Sequence, residues 1–255
     1  MVLITLISEN LTQEIKKIAL QNGFKAIGIT TPNKLKDLHY GWVTEDLELK
    51  HPKEVLPEVK SVIILAMHIW DRAFFLHINS PEWKGYSFHK QEEEIDDYYV
   101  SDEISKNKAW SIVTLIKEKG YKAMITTAIP MKTTAVKAGL GCQGKCTLLV
   151  NPETGPRLGL MAVLTSAELE PSEPYTGDLC GDCELCIKAC PTKALTPHHI
   201  KINRCLAYAS ENPELTSIPN DVRNIEKKLV VRPTSGSYVI CSFCMQVCPI
   251  GKPQR

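Results

Sequence analysis

The hydrophobic pattern of the first seventy residues predicts one helix and two buried strands. Apolar residues recur at helical spacing from Leu11 to Ala19, directly after Asn10, which is suited to cap a helix. Two continuous apolar runs follow at residues 26–29 and 61–67, and the second is rich in β-branched residues. Such runs are typical of strands covered on both faces. Helix and strand patterns in alternation predict a mixed fold, α+β or α/β.

The pattern of the remaining residues extends this prediction and divides the chain. Helices are predicted over residues 102–119, 132–137, 202–209 and 222–228, and strands over 121–126, 148–150 and 158–165. Asn151 to Gly155 has the composition of a turn, and Pro171, Pro174 and Gly177 mark a linker. We therefore predict an α/β cofactor-binding domain over residues 1–170 and a ferredoxin-like domain over residues 171–255.

The chain start and the overall composition narrow the class of protein. Met1 to Ile7 is apolar but lacks a basic segment and a cleavage site, so it predicts a first strand or an apolar cover and no signal peptide. With 255 residues, 44% of them hydrophobic, the chain is long enough for two domains. The apolar run at 62–67 is too short to span a membrane. We expect a soluble, cytoplasmic protein without a membrane partner.

Charge gives little information about partners. The formal net charge is +1, so there is no general electrostatic case for binding nucleic acid or an anionic membrane. Nothing in the sequence indicates the oligomeric state.

Eight of the ten cysteines fall into a ferredoxin-like arrangement. The first run, Cys180 to Cys190, has the spacing by which bacterial ferredoxins bind one cluster with three thiolates and a second cluster with the fourth. The second run, Cys241 to Cys248, repeats the later part of this pattern, and Cys205 supplies the missing ligand. We predict two 4Fe-4S clusters, one held by Cys180, Cys183, Cys186 and Cys248, the other by Cys190, Cys205, Cys241 and Cys244.

Two other uses of these cysteines remain open. Paired C-x-x-C motifs can close a tetrahedral zinc site, although zinc explains eight ligands with this spacing poorly. A disulfide framework would need an oxidising compartment, which the expected location does not provide.

A glycine-rich loop precedes the second half of the chain. Gly139 to Lys145 has the spacing of a P-loop, but Cys146 stands where a hydroxyl would bind Mg²⁺, and a strand follows where a helix is needed. Three glycines in six residues still indicate a close backbone approach to a ligand or to the cluster module. The candidate cofactor-binding residues are Gly139, Gly141, Cys142, Gly144, Lys145 and Cys146.

The two loop cysteines, Cys142 and Cys146, are left over once eight ligands are counted. They could touch a bound cofactor, form a redox dithiol or hold a metal together with a third group. The alternative is that both are small buried side chains without chemistry, which is common for free cysteine.

Aromatic residues are concentrated between residues 70 and 99, which hold eight of the chain's 17. On a loop they could line a pocket for a flat cofactor, or they could simply pack the loop onto the core. If the reaction needs a proton donor, this stretch offers Tyr98, Tyr99 and His89.

The motifs together resemble a known family. The segments Ala138–Lys145, Leu148–Arg157 and Leu164–Thr165, followed by the Cys180 run, resemble the core of epoxyqueuosine reductases and, more distantly, of reductive dehalogenases. The strand at Gly28 and residues 51–62 extend the resemblance over nearly the whole chain. It implies an N-terminal domain that holds cobalamin, with the glycine loop facing the corrinoid, beside clusters fed by an external donor of the ferredoxin or flavodoxin type.

Three departures from that family shape the expected substrate. The sequence ends at Arg255, without the C-terminal helical-repeat domain that the family associates with tRNA, and residues 126–130 lack the acidic proton donor. Cys142 and Cys146 stand where bulky and amide-type residues are usual. We therefore expect tRNA to be an unlikely partner and a small molecule to be the substrate, with Tyr98 or Tyr99 as catalytic proton donors.

Two functions remain in competition at this point. The first is an oxidoreductase that uses its clusters to reduce a bound cofactor, in the first place a corrinoid. The second is an electron-transfer or activating protein that reduces a cofactor held by a partner. A flavin or another tetrapyrrole in the pocket is a weaker alternative.

Overall fold

The computed structural model describes residues 2–42, 48–69, 76–79, 84–85, 93–94 and 97–252. The chain forms two compact units that interleave along the sequence. The first unit comprises Met1–His68, Ile104–Cys142 and Leu158–Gly177, and the second comprises Ile69–Glu103, Gln143–Arg157 and Asp178–Arg255. The domain boundary at residue 170 stays a prediction.

The chain forms eight helices, two 3-10 turns and fifteen strands in its described part. The helices are α1 Val2–Gln21, α2 Pro52–Val55, α3 Val100–Glu118, α4 Met131–Lys137, α5 Leu185–Ala189, α6 Leu206–Glu211, α7 Asn220–Leu229 and α8 Phe243–Gln246. Short 3-10 turns cover Pro32–Leu35 and Ile202–Arg204. The strands are β1 Ala26–Thr30, β2 Gly41–Trp42, β3 Glu48–Leu49, β4 Ser61–His68, β5 Leu76–Asn79, β6 Lys84–Gly85, β7 Glu93–Glu94, β8 Asp97–Tyr99, β9 Ala123–Thr126, β10 Cys142–Gln143, β11 Leu149–Val150, β12 Leu158–Thr165, β13 Leu195–Thr196, β14 His199–Ile200 and β15 Ser237–Val239.

The first unit is built on a four-stranded sheet in the order β1-β4-β12-β9. Each neighbouring pair in this sheet is antiparallel, with Ile63 of β4 opposite both Ile29 of β1 and Val163 of β12. One face packs on α1 and α3 through a core that includes Ile15, Ile112 and Ile63, and α4 contacts the sheet as well. The predicted mixed fold is confirmed, and antiparallel pairing makes the sheet the α+β kind.

The N-terminus departs from the prediction. Met1 to Ile7 was expected to be a strand or an apolar cover, and Asn10 to cap the first helix; instead α1 begins at Val2 and continues through Asn10. The β-branched residues at this end have only a weak preference for strands, and continuation of an amphipathic helix overrides it. The strands predicted at 26–29 and 61–67 are confirmed as β1 and β4.

The second unit combines a small sheet with short helices. Its strands pair in the antiparallel order β15-β5-β8. Helices α6 and α7 enclose a small core of Leu206, Ala209, Ile218 and Val222. Helices α5 and α8, each of which carries part of a cysteine run, pack against one another. In the described part of the chain, no helix is long and apolar enough to cross a membrane.

Gly28 supplies a testable contact between β1 and the end of α4. A Cβ atom added at Gly28 would lie 2.2 Å from the carbonyl oxygen of Ala138. At that distance either β1 or the end of α4 would have to move. Gly28→Ala is expected to lower the free energy of unfolding by roughly 1–3 kcal/mol, measured by urea denaturation. Because the clash is with a backbone atom, adding Ala138→Gly should restore little of the loss; full restoration would contradict this explanation.

Candidate metal centres

Four predicted ligands meet in one cavity of the second unit. Cys180, Cys183, Cys186 and Cys248 all line it, together with apolar residues such as Leu179 and Ile250. Burial raises the pKa of the Cys186 thiol, and the negative charges of Cys180 and Cys183 raise it further. Thiols held this close repel one another as anions, so binding iron would relieve the repulsion. The first quartet therefore fits a cubane.

The second quartet also converges. Burial raises the pKa of Cys241 to about 11, with additional contributions from Cys205 and Cys190. Burial likewise raises the pKa of Cys244, which is also raised by Cys241 and Cys205. Cys190 and Cys205 lie at the ends of α5 and the 3-10 turn Ile202–Arg204, where each cysteine N–H completes a local turn. The charges of Cys146 and Cys186 also raise the pKa of Cys244, so the division of the cysteines into two crossed quartets stays a prediction.

Backbone N–H groups point at sulfur atoms in both quartets. The N–H of Lys145 donates to Cys180 Sγ at 3.4 Å, and the N–H of Ala194 donates to Cys190 Sγ at 3.3 Å. Hydrogen bonds to cluster sulfurs are one of the ways in which a protein sets the reduction potential. These donors therefore suit thiolates better than neutral thiols.

Arg157 fixes the end of the second cysteine run. Its side chain is buried, and its two Nη atoms donate to the carbonyl oxygens of Cys248 and Ile250, each at 2.6 Å. Its positive charge also lowers the pKa of Cys248, against the stronger effect of burial, which raises it. The guanidinium thus positions a ligand of the first quartet and adds positive charge beside it. Sequence reasoning missed this role because the partners lie more than ninety positions away.

Cys146 is a fifth thiol in the first cavity. It lines the same cavity as the first quartet and is only 5% exposed. Burial raises its pKa to about 12, and Cys186, Cys248 and Cys180 add to the shift. Its charge also raises the pKa of Cys244 in the second quartet. The expectation that a loop cysteine could meet a metal therefore has a structural basis at Cys146.

The other glycine-loop candidates are divided between the two units. Gly139, Gly141 and Cys142 belong to the first unit, and Gly144, Lys145 and Cys146 belong to the second. A Cβ at Gly139 would lie 2.2 Å from the carbonyl oxygen of Glu173, and one at Gly144 would lie 2.5 Å from Val150 Cγ2. Close packing of the chain on itself thus explains both glycines. Cofactor contacts of the loop stay a prediction.

Tyr99 lies in a separate aromatic group of the second unit. Its hydroxyl donates to the Glu211 carboxylate, and its ring lies 4.7 Å from the ring of His77. His77 in turn contacts Tyr238 at 4.8 Å. The side chain of Tyr98 lies outside the described residues. The same holds for His89 and for the aromatic residues between 70 and 88, which were predicted to line a cofactor pocket or to pack the loop onto the core. A catalytic role for either tyrosine stays a prediction.

A second cavity lies beside the second quartet. It has a volume of about 550 Å³, and its lining includes Leu206, Val231, Val239, Ile240, Cys241 and Met245. Small-molecule and cofactor sites commonly fall in this range and are mostly apolar. Sequence analysis did not predict this cavity, because its walls come from five separate segments of the chain.

The cysteine-rich segment matches a known domain family. Residues 179–251 match the model of a 4Fe-4S double cluster binding domain. This confirms the prediction of a two-cluster module over the zinc and disulfide alternatives.

Relatives of known sequence cover nearly the whole chain. The epoxyqueuosine reductase of Prochlorococcus marinus (strain NATL2A) is 27% identical over 95% of this chain and 78% of the relative. That of Lactococcus garvieae (strain Lg2) is 28% identical over 96% of this chain and 70% of the relative. The predicted resemblance and the oxidoreductase class are confirmed.

Solved structures share the fold. The epoxyqueuosine reductase of Bacillus subtilis has a TM-score of 0.68 at 22% identity, covering 95% of this chain and 66% of that one. The chain thus spans just under two thirds of the solved enzyme. A reductive dehalogenase, described with a mechanism for B12-dependent dehalogenation, has a TM-score of 0.59 at 14% identity over 94% of this chain and 32% of that one.

One predicted partner needs correction. We expected tRNA to be an unlikely partner, yet an epoxyqueuosine reductase solved with a tRNA-Tyr epoxyqueuosine-modified stem loop aligns with 95% of this chain at a TM-score of 0.68. That expectation is wrong. It relied on where the sequence ends, on the lack of an acidic residue at 126–130 and on Cys142 and Cys146, and none of these describes the local surface that would contact a stem loop.

Proposed function

We propose that this iron–sulfur oxidoreductase, a relative of the epoxyqueuosine reductases, passes electrons through two 4Fe-4S clusters to a corrinoid that it binds itself. The observation that carries the proposal is the presence of two cysteine quartets in the second unit, with Cys241 of the second quartet in the wall of a cavity of about 550 Å³. Cys180, Cys183, Cys186 and Cys248 would hold the first cluster. Cys190, Cys205, Cys241 and Cys244 would hold the second.

The surface of the second unit supports a route for incoming electrons. Gly181, Asp182 and Glu184 are exposed in the turn that joins ligands of the first quartet. An external donor of the ferredoxin or flavodoxin type would approach this turn. Cys186 and Cys244 lie in α5 and α8, which pack together, so the two clusters would be close neighbours.

The corrinoid would lie against the apolar cavity beside Cys241. Its apolar lining would exclude water, and Cys241 would place the second cluster at the cavity wall. When bound, a corrinoid supplies a cobalt centre for the reductive chemistry, and the protein supplies binding, orientation and electrostatics. The B12 dependence described for the dehalogenase neighbour supports this choice of cofactor.

Tyr99 would supply a proton. Its hydroxyl donates to the Glu211 carboxylate, which fixes the phenol, and after transfer the phenolate would be reprotonated from solvent. Glu211 ends α6, the helix that starts directly after Cys205, so the pair is linked to the second quartet by a single helix.

A tRNA stem loop that carries epoxyqueuosine is the first substrate to test. The names of the relatives and the stem-loop complex of the structural neighbour support it. The test is to incubate the reconstituted protein with the modified stem loop and a reductant, and to measure loss of the epoxide oxygen by mass spectrometry. A small molecule would be the substrate class to pursue if the stem loop is unchanged.

Cofactor binding can be tested apart from turnover. Anaerobically purified protein should contain about eight irons and eight sulfides per chain, and titration with cobalamin should change the visible spectrum of the corrinoid. Val231→Trp, at the exposed rim of the cavity, should weaken corrinoid binding about 10-fold and leave the iron content unchanged, because it occupies cavity volume away from the ligands.

The outcomes separate the competing functions. Eight irons with no corrinoid binding would favour the electron-transfer role, in which a partner holds the cofactor. Zinc in place of iron and sulfide would contradict both the enzyme and the electron-transfer function.

A further inference from the structure

The turn that carries Cys146 is held against the first cavity from both sides. Within it, the N–H of Thr147 donates to Gly144 O at 2.9 Å, so Lys145 and Cys146 are the central residues. The Lys145 N–H donates to Cys180 Sγ, and the Lys145 carbonyl accepts from the His198 N–H at 3.1 Å. These bonds leave the Cys146 side chain directed into the cavity that it lines.

The backbone after Cys146 is strained. Thr147 has φ of +67°, a left-handed conformation that is a genuine outlier for a β-branched residue. Such strain persists only where the surroundings enforce it, and it is concentrated at functional sites. A glycine would adopt this φ without strain, whereas threonine disfavours it. The turn is therefore not set by the backbone preference of Thr147. The contacts to Cys180 and His198 shape it instead.

The cavity therefore holds one thiol more than a cubane needs. Four iron atoms each take one protein ligand, and Cys180, Cys183, Cys186 and Cys248 already provide four. Cys248 differs from the other three because it comes from the second cysteine run, some sixty residues later in the chain. Cys146 lines the same cavity as Cys248 and Cys186.

We propose that Cys146 is a reserve ligand of the first cluster, able to take the place of Cys248 on the same iron. In this exchange the bond between iron and the Cys248 sulfur breaks and one to the Cys146 sulfur forms. The thiol proton of Cys146 passes to the released Cys248 thiolate, so neither the charge of the cluster nor its electron count changes. The inference rests on the proposed assignment of Cys248 as a ligand.

Such a ligand would matter during assembly of the module. Cys146, Cys180, Cys183 and Cys186 would form a complete quartet before the second cysteine run is in place. Cys248 would then replace Cys146 once Arg157 has fixed the Cys248 carbonyl.

The test compares ligand variants with and without Cys146. Cys248→Ala removes the thiol but keeps the carbonyl that Arg157 binds, so the local fold should be retained. We expect this variant to keep about eight irons per chain and the electron paramagnetic resonance signals of two reduced 4Fe-4S clusters. Cys248→Ala with Cys146→Ala should fall to between about four and seven irons, with loss of the first cluster or its conversion to a three-iron form.

Cys142 provides the matched control, since it is the other loop cysteine, it is also buried, and it is not among the residues that line this cavity. Cys248→Ala with Cys142→Ala should behave like Cys248→Ala alone. Cys186→Ala should lose iron to the same extent with and without Cys146→Ala, because Cys146 replaces Cys248 only. Equal iron loss of Cys248→Ala in the presence and absence of Cys146 would overturn the proposal, and so would failure of both single ligand variants to accumulate as folded protein. Wild-type protein without iron would instead overturn the proposed function.

Discussion

Cys205→Ala is expected to remove the second cluster and to lower turnover by more than about 100-fold. Loss of a group that merely orients a metal ligand can already cost about 100-fold, and Cys205 is proposed as a ligand itself. It precedes α6 directly, and its charge acts on both Cys241 and Cys244. Iron should fall from about eight to between four and seven atoms per chain, measured together with electron paramagnetic resonance of the reduced protein.

Cys142→Ala is the control for this prediction, because Cys142 belongs to neither quartet. It should keep its iron and both cluster signals. A Cys205→Ala variant with eight irons and two unchanged signals would show that Cys205 is not a ligand. A different cysteine would then have to supply the fourth thiolate of the second cluster.

Arg157→Ala is expected to destabilise the second unit by about 3 kcal/mol or more. It would leave two partly buried carbonyl groups without their charged donor and would create a cavity in place of a large buried side chain. Because Cys248 would lose its anchor, the first cluster should also be lost faster on exposure to air. Thermal unfolding and the rate of bleaching of the visible absorbance measure the two effects.

Two variants test whether the geometry of Arg157 matters. Arg157→Lys keeps the positive charge but cannot bridge two carbonyls in the same way, so it should recover only part of the stability. Arg232→Ala removes a half-exposed arginine that pairs with Glu226, which keeps its other partner Arg223; we expect a cost below about 1 kcal/mol. Equal losses for Arg157→Ala and Arg232→Ala would contradict the anchoring role.

The sequence predicted the elements whose signal is local. Strands β1, β4 and β12 follow from short apolar runs, and the cysteine quartets follow from spacing within two runs plus Cys205. The quartets were predictable because thiolates around a cubane must occur in a restricted spacing. The start of α1 was not predictable in this way. The β-branched residues Val2 and Ile4 favour a strand locally, and only the continuous helix that follows makes this segment helical.

Features that depend on distant partners escaped prediction. The role of Arg157 became visible only when its acceptors were found to be the carbonyl oxygens of Cys248 and Ile250. That of Cys146 became visible only when it was found to line the cavity of the first quartet. The apolar cavity beside Cys241 combines walls from separate segments in the same way. No periodicity or motif spacing records such tertiary neighbours.

The interleaving of the two units limits how the iron-binding part could be produced alone. A gene fragment that starts at residue 171 would contain all eight cysteines of the quartets but would lack Gln143–Arg157, which carries Cys146 and Arg157. Cys248 would lack the Arg157 guanidinium that binds its carbonyl oxygen, and Cys180 would lack the Lys145 N–H that donates to its sulfur. A minimal iron-binding protein would therefore need residues 143–157 joined to the later segment through a designed connection.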